Sequence, residues 1–403
     1  MRLTMKERKA VTKASCEAYR NARKRDKARM LDQFVEMTGY HRKYAAWLLR
    51  NHGRQVEVAP GRAVAGDVRQ RRPVARRRTY GPELLKPLKK VWVTMDYICA
   101  KRLHAALPEV LPRLVACREL RIKKADREKL LAMSPATIDR MLAAERAKHT
   151  LKGVSRTKPG TLLKHQIPVR TFAEWDHAQP GFFEMDLVGH DGGSSRGDYC
   201  QTLDVTDVAT GWSEQMAVQN KAQTHVFAAI ETLRDRLPIP VLGLDSDNGS
   251  EFINNQLFRY CEQEQISMTR SRTTHKNDTC YVEQKNWSIV RRFAGYARYE
   301  GVQACEVLNE LYTLLRDYNN FFFPSVKLVE KTRNGARVTK RYDKPHTPYE
   351  RLLNSPKVPR RIKNNLGAHY ETLNPAALRR RILALQKRLA ALAVRPIGKE
   401  ATA

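Results

Sequence analysis

Between Gly181 and Tyr299 the chain changes periodicity in a fixed order, and that order restricts the possible folds more than any other feature. FFEMDLVGH, DYCQTLDVTD and WSEQMAVQN are short runs rich in aromatic and β-branched residues. The Gly/Ser/Asp cluster DGGSSRGD and the triplet ATG separate them, as turns separate consecutive antiparallel strands. THVFAAIETLRDRL then spaces Val226, Phe227, Ile230 and Leu233 at helical intervals until Pro238 and Pro240 end the pattern. VLGLD predicts a buried strand, NNQLFRYCEQEQI a helix and SMTRSRT a strand. TCYVEQKNWSIVRRFAGY predicts a long helix with Val282, Ile289 and Phe293 on one side. Three strands, a helix, a strand, a helix, a strand and a helix make an α/β domain with a mixed five-stranded sheet flanked by helices.

Charge says what such a domain would act on. The 403 residues carry 74 Lys and Arg against 42 Asp and Glu, a net charge of +32 and a pI near 10.1. That excess favours a polyanion, nucleic acid first. The span 171–266 reverses the sign: it holds sixteen acids and five bases, a net −11, while the remainder carries +43. Most of these acids read as a solvated surface. The reversal nonetheless suits a protein that holds divalent cations on carboxylates and grips phosphates on both flanks. No apolar run approaches the roughly 20 residues that span a bilayer, which argues against a membrane. The N-terminal stretch has no apolar core of the kind that marks a secretory signal. Seven cysteines occur singly without a CxxC pair, which predicts a reducing cytosol and thiols used as small buried hydrophobes.

The N-terminal third predicts two helix-turn-helix units joined by a basic linker. Lys27–Met37 spaces Met30, Leu31, Phe34 and Val35 helically, Thr38-Gly39-Tyr40 breaks the pattern, and HRKYAAWLLR resumes it with Tyr44, Trp47 and Leu48. The second helix of such a unit enters the major groove, which makes Arg42 and Lys43 candidate DNA contacts. In EKLLAMSPATIDRMLAAERAKH, Ser134 is a good N-cap and Pro135 suits the first helical position, so a helix opens there with Arg140 as another candidate contact. Gly53–Gly81 reads as a flexible linker whose Arg69, Arg71, Arg72, Arg76, Arg77 and Arg78 would meet phosphate without reading sequence.

Within the central domain three carboxylates converge on the predicted topology. Asp186 lies in the middle of the first strand, Asp247 just past the end of the fourth, and Glu283 on the helix that packs back against the sheet. Asp247 and Glu283 are separated by 35 residues. Two divalent cations about 3.5–4 Å apart need shared carboxylates of this kind, with positions left for water and phosphate. Asn248-Gly249 permits the tight turn after the strand. Without a metal, convergent carboxylates repel and their pKa values rise.

The trio Asp186 (EMDLV), Asp247 (SDNGSEF) and Glu283 (YVEQKN) with its 35-residue interval closely resembles the acidic triad of the retroviral integrase superfamily, specifically bacterial insertion-sequence transposases with an integrase-type core. The resemblance covers about Trp175–Tyr299 and implies a ribonuclease H-like fold binding two magnesium or manganese ions on the triad. It implies an enzyme that cuts DNA at element ends and joins the freed 3′-hydroxyls to target DNA, working as a homo-oligomer, dimer or tetramer, in the bacterial nucleoid. The helix-turn-helix units match the end-binding modules of such transposases. Many members carry HPxxNGxxE before the glutamate, whereas this chain reads HKNDTCYVE, which keeps the amide as Asn277 and lacks the proline and glycine. No HHCC zinc module is visible, since His41 and His52 lack a downstream CxxC. Two rivals remain open: a structure-specific nuclease of the same fold, and a non-catalytic DNA-binding regulator.

Other side chains compete for these roles. Asp245 would replace Asp247 if the strand ended earlier, and Glu184, on the same face as Asp186 by alternation, reads as a rim residue or a substitute ligand. Asp204 and Asp207 read as solvated or turn-capping, Glu251 as a first-turn helix acid, and His275 as a loop hydrogen-bonder near phosphate. Lys285 and Arg292, seven apart on the glutamate helix, fall on one face and are candidates for the DNA backbone or a solvated face. Beyond the core, NNFFFPSVKLVEKTRNGARVTKRYDKPHTPYERLL alternates apolar and basic residues around Asn334-Gly335, a hairpin signal. LNPAALRRRILALQKRLAALAV predicts an amphipathic helix that packs on the core or on another protomer. The expected organisation is helix-turn-helix at 1–55, linker at 56–80, a second helical DNA-binding region at 81–165 and the catalytic core at 171–317. A small β module at 318–360 and a terminal helix at 371–396 complete it.

Overall fold

A computed structural model describes residues 3–59, 62–65, 79–148, 179–246, 251–252, 254–270 and 280–394, in two compact units divided between Thr79 and Tyr80. The first contains α1 (Met5–Asn21), α2 (Lys24–Thr38) and α3 (Arg42–Asn51). Thr4 and Glu7 form a capping box that starts α1. Gly39, in the left-handed region at φ 67°, ends α2 where the sequence predicts the turn. Cys16 and Tyr19 of α1, Leu31 and Phe34 of α2, and Leu48 and Leu49 of α3 form one small core. The unit thus has a helix ahead of the expected pair. The stretch expected as linker is partly ordered: β1 (Gln55–Ala59) pairs antiparallel with β2 (Arg62–Ala65). Valines 56, 58 and 64 around a Pro-Gly dipeptide are its local cause.

The second unit opens with four helices, α4 (Leu85–Thr94), α5 (Ala100–Ala116), α6 (Lys124–Leu131) and α7 (Pro135–Ala147). Ser134 accepts from the Thr137 amide and Pro135 takes the first turn of α7, as its sequence predicts. Leu103, Leu107 and Leu111 of α5 and Ile138 and Leu142 of α7 are buried.

All five predicted strands form: β3 (Phe182–Gly189), β4 (Gln201–Asp207), β5 (Ser213–Val218), β6 (Gly243–Ser246) and β7 (Ser267–Arg270). Their order in the sheet is β5-β4-β3-β6-β7, with β3, β4 and β5 antiparallel and β6 and β7 parallel to β3. This is the mixed sheet of a ribonuclease H-like α/β fold. Between the strands run α8 (Gln223–Arg236) and α9 (Asn255–Gln263), whose Ile230, Leu233 and Tyr260 cover the face bearing Met185, Val205 and Leu244.

Opposite lie α10 (Cys280–Lys285), a π-helical turn (Asn286–Arg291), the short α11 (Arg292–Ala294) and α12 (Gly301–Phe322). The single long helix predicted around Glu283 is therefore interrupted by one wide turn. α12 extends through Asn319–Phe322, residues the sequence assigns to the start of the hairpin. The hairpin itself is β8 (Leu328–Asn334) with β9 (Arg337–Tyr342), a two-stranded ribbon in place of a larger β module. α13 (Pro348–Asn354), the unpredicted α14 (Arg360–Thr372) and α15 (Pro375–Ala391) follow. α15 packs on α12 through Leu378, Ile382 and Leu389, so the amphipathic terminal helix belongs to this chain's own core. All seven cysteines are free; Cys16, Cys200, Cys261 and Cys305 are buried as expected, whereas Cys99 and Cys280 are exposed. Among the described residues no helix is long and apolar enough to cross a membrane.

Candidate active site

Alternation along β3 sends Phe183 and Met185 into the apolar core and turns Glu184 and Asp186 to the face covered by α10 and α12. Register adds two more acids to that face: Asp204 lies across from Asp186, and Asp245 beside Glu184. Asp186 is half-buried, and its Oδ1 accepts from the Leu187 amide at 2.8 Å. Its Oδ2 accepts from Asn286 Nδ2 at 2.6 Å. Glu184 is fully buried and its Oε2 accepts from the amides of Tyr281 (2.7 Å) and Val282 (2.9 Å). Those amides belong to the first turn of α10, where a helix has no carbonyl of its own to offer them. Glu184 therefore fastens the glutamate helix to the central strand.

Glu283 is the next residue along α10 and is exposed. Its position is registered electrostatically: burial pushes the Glu184 carboxyl up to about 8, and Asp245 and Glu283 push it further, against the two amide bonds. Asp204 is raised to about 7, first by burial and then by Asp186, while its bond from Gln215 and the charge of Lys285 act against the shift. Lys285 is held down to about 8 by burial, opposed by Asp204. Asp204 is thus not the solvated residue its sequence context suggests. Asp207 does cap a turn, accepting from the Gly181 and Thr210 amides at 2.8 and 2.7 Å. Asp245 is buried and bonded by Thr269 Oγ1 at 2.6 Å inside the sheet. β6 ends at Ser246. Asp247 lies outside the described residues, as do His275 and Arg69, Arg71, Arg72, Arg76, Arg77 and Arg78.

The remaining predicted contacts scatter. Arg42 is ion-paired with Asp32 within the first unit, and Lys43 and Arg140 are exposed. Arg292 is turned inward, donating to Asp96 Oδ2 at 2.6 Å and to the Asp96 carbonyl. Lys285 is half-buried within the electrostatic reach of Asp204, so it does not share an outward face with Arg292. Asn286 is the residue of the site that sequence reasoning missed. Its signal was its place three residues after Glu283, on the same side of the helix.

The donors gathered here are all hard oxygens. Glu184 Oε1, Asp204 Oδ2 and Asn286 Oδ1 are buried without a hydrogen-bond partner among the described residues. Such a set fits a divalent cation of the magnesium kind rather than zinc or copper. Among the described residues no group of three or more His, Cys, Asp or Glu is arranged to hold a metal ion, and Asp247 is not one of them.

No family model matches the chain. Among solved structures it is similar to the catalytic core domain of BIV integrase, at 20% identity over 42% of this chain and 91% of that one, with a TM-score of 0.29. It is also similar to the HTLV-2 integrase catalytic core domain in complex with magnesium, at 15% identity over 37% of this chain and 93% of that one, TM-score 0.29. The ribonuclease H-like fold follows from the strand order and register of the sheet. Among curated proteins the chain is 40% identical over 352 residues to the uncharacterized protein y4rM of Sinorhizobium fredii, spanning 87% of this chain and 96% of that one. The chain therefore belongs to the family of the Sinorhizobium fredii protein y4rM.

Proposed function

We propose that the chain is a DNA transposase that binds element ends and catalyses metal-dependent phosphodiester hydrolysis and 3′-hydroxyl strand transfer into target DNA. The observation that carries this reading is the double tie between β3 and the helix of Glu283: Asn286 to Asp186, and Glu184 to the α10 amides. A strand bearing one acid is locked to a helix bearing another, and the sequence puts Asp247 one residue past the neighbouring strand β6.

In this reading Asp186, Asp247 and Glu283 would hold two divalent cations, magnesium or manganese, whose chemistry when bound would be to activate a water or 3′-hydroxyl nucleophile and to offset charge on the phosphate. The chain's own work is positional. Asn286 fixes the orientation of Asp186, Glu184 fixes the start of α10, and Lys285 offsets the charge of Asp204 beneath the site. Lys43 and Arg140, on the helices of the two N-terminal helical units, contact the element-end DNA, and the arginines at 71, 72, 76, 77 and 78 bind phosphate without reading sequence. Bringing two ends to one target requires at least two chains, so the working form is a dimer or tetramer on the bacterial nucleoid.

Nicking of duplex DNA carrying the sequences that flank the coding region tests the metal chemistry. Wild-type protein nicks with Mg²⁺ or Mn²⁺ and not with EDTA. Asp186→Asn, Asp247→Asn and Glu283→Gln each lose at least about a thousandfold in rate while still binding the duplex. Undiminished nicking by any of the three removes that residue from the proposed site.

A further inference from the structure

The β8–β9 ribbon has no role in the chemistry just described. Every residue of β9 is exposed, and so are Leu328, Val329, Glu330 and Thr332–Asn334 of β8, so neither face of the ribbon is covered. A two-stranded hairpin alone is marginally stable in water. This one also leaves apolar surface open, at Leu328 (48%), Val329 (55%) and Tyr342 (49%). Between Lys331 and Arg341 it carries five bases and no acid.

Its root is held firmly. The Lys327 amide donates to Asp343 Oδ1 at 2.6 Å, and the Asp343 amide returns a bond to the Lys327 carbonyl at 3.0 Å. Arg351 clamps Asp343 Oδ2 at 2.6 Å and the Ser325 carbonyl at 2.9 Å. Lys327 Nζ donates to the carbonyls of Val208 and Ala209 and lies 5.4 Å from the centre of the Tyr281 ring. Tyr281 is two residues before Glu283, and its amide is one of the two bound by Glu184. A ribbon that is bare along its length is thus anchored to the helix that bears the candidate catalytic glutamate.

We propose that the ribbon is a DNA-binding arm that lies along the duplex next to the reacting phosphodiester. Its dimensions fit: seven residues at about 3.3 Å extend about 20 Å, and two strands about 4.8 Å apart enter a groove about 12 Å wide. Arg337, Lys340 and Arg341 meet phosphates, and the tip at Asn334-Gly335 reaches furthest from the root. Duplex DNA is favoured over an apolar protein partner because bases dominate the outer half of the ribbon: Arg341 pairs with Glu330 at 2.9 Å on the exposed surface, and no acid lies between Lys331 and Arg341. The proposal takes its partner from the function proposed above, yet binding tests it without requiring turnover.

The experiment measures the affinity of the full chain for a fluorescent 30-base-pair duplex across a salt series. It compares wild type with Arg337→Ala/Lys340→Ala/Arg341→Ala and with the equally discharged surface control Lys357→Ala/Arg360→Ala/Arg361→Ala. Each lost phosphate contact lowers the slope of log affinity against log salt by about 0.9, so the ribbon variant drops by up to about 2.7. The control stays at the wild-type slope. Equal slopes in all three proteins overturn the proposal, as does a ribbon variant that binds DNA normally but loses self-association. Duplex binding that depends on the ribbon, in a protein that nicks nothing with either metal, would sink the transposase reading and leave the arm standing.

Discussion

His190 shows how closely single residues are fitted to this sheet. It ends β3's extension, fully buried, with Nε2 2.7 Å from Thr202 Oγ1 and its ring 5.6 Å from that of Tyr299. Nδ1 has no partner among the described residues, so a second proton would enter a site that offers it no acceptor. Burial holds the imidazole down to about 3, Arg291 lowers it further, and Asp191 opposes both. The unfolded chain protonates this histidine near 6.5 and the folded chain only near 3. The unfolded state therefore binds the extra proton in that window. The stabilisation is complete above about pH 6.5 and is lost as pH falls toward 3, at up to about 1.4 kcal/mol per pH unit. Urea unfolding between pH 6.5 and 4 checks this: His190→Gln should flatten the acid limb by that slope, and parallel limbs in the two proteins would refute the assignment.

At the scale of elements, α12 deals with the exposed edge of the sheet. β5 is an edge strand, and edge backbone groups must be satisfied by something. Asn309 accepts from the Ala217 amide at 2.8 Å and donates to its carbonyl at 3.0 Å. Three helical turns later, Asn320 does the same for Ser213 at 3.0 and 2.8 Å. Two side-chain amides thus stand in for a sixth strand. Asn309→Ala and Asn320→Ala should each cost about 1–3 kcal/mol in a urea melt, because each strands a backbone donor and acceptor. A loss near zero would mean that water replaces the amide. The same residues explain what a lone sequence hides. Strands β3 to β7 were legible because each is a short β-branched or apolar run bounded by glycine, proline or an acid. The end of α12 was not, because Asn319-Asn320 reads as a break when the sheet edge it serves lies a hundred residues away. The placement of Asp186 on a central strand and of Glu283 on the helix that follows the sheet could be read from chain order. The cap that Glu184 provides and the bond from Asn286 arise only once β3 and α10 are folded together. Arg292 and Lys285 misled for the same reason: Asp96, which Arg292 bonds, and Asp204, whose charge acts on Lys285, are distant in the sequence.

For the molecule as a whole, charge and fold divide the labour. A core with a net −11 between 171 and 266 sits in a chain of +32, and the structure resolves that contrast into a carboxylate-lined sheet face with a basic ribbon rooted beside it. The proposed transposase differs from a nuclease of the same fold in joining DNA as well as cutting it. The most direct measurement is therefore strand transfer. A pre-cut duplex ending in a 3′-hydroxyl at the element boundary is incubated with the protein, a target plasmid and Mn²⁺ or Mg²⁺, and covalently joined product is counted. The wild-type chain should give joined product, and Asp186→Asn, Asp247→Asn and Glu283→Gln none. Cleaved but unjoined DNA from the wild-type protein, or joining that survives any of the three substitutions, would contradict the proposed function.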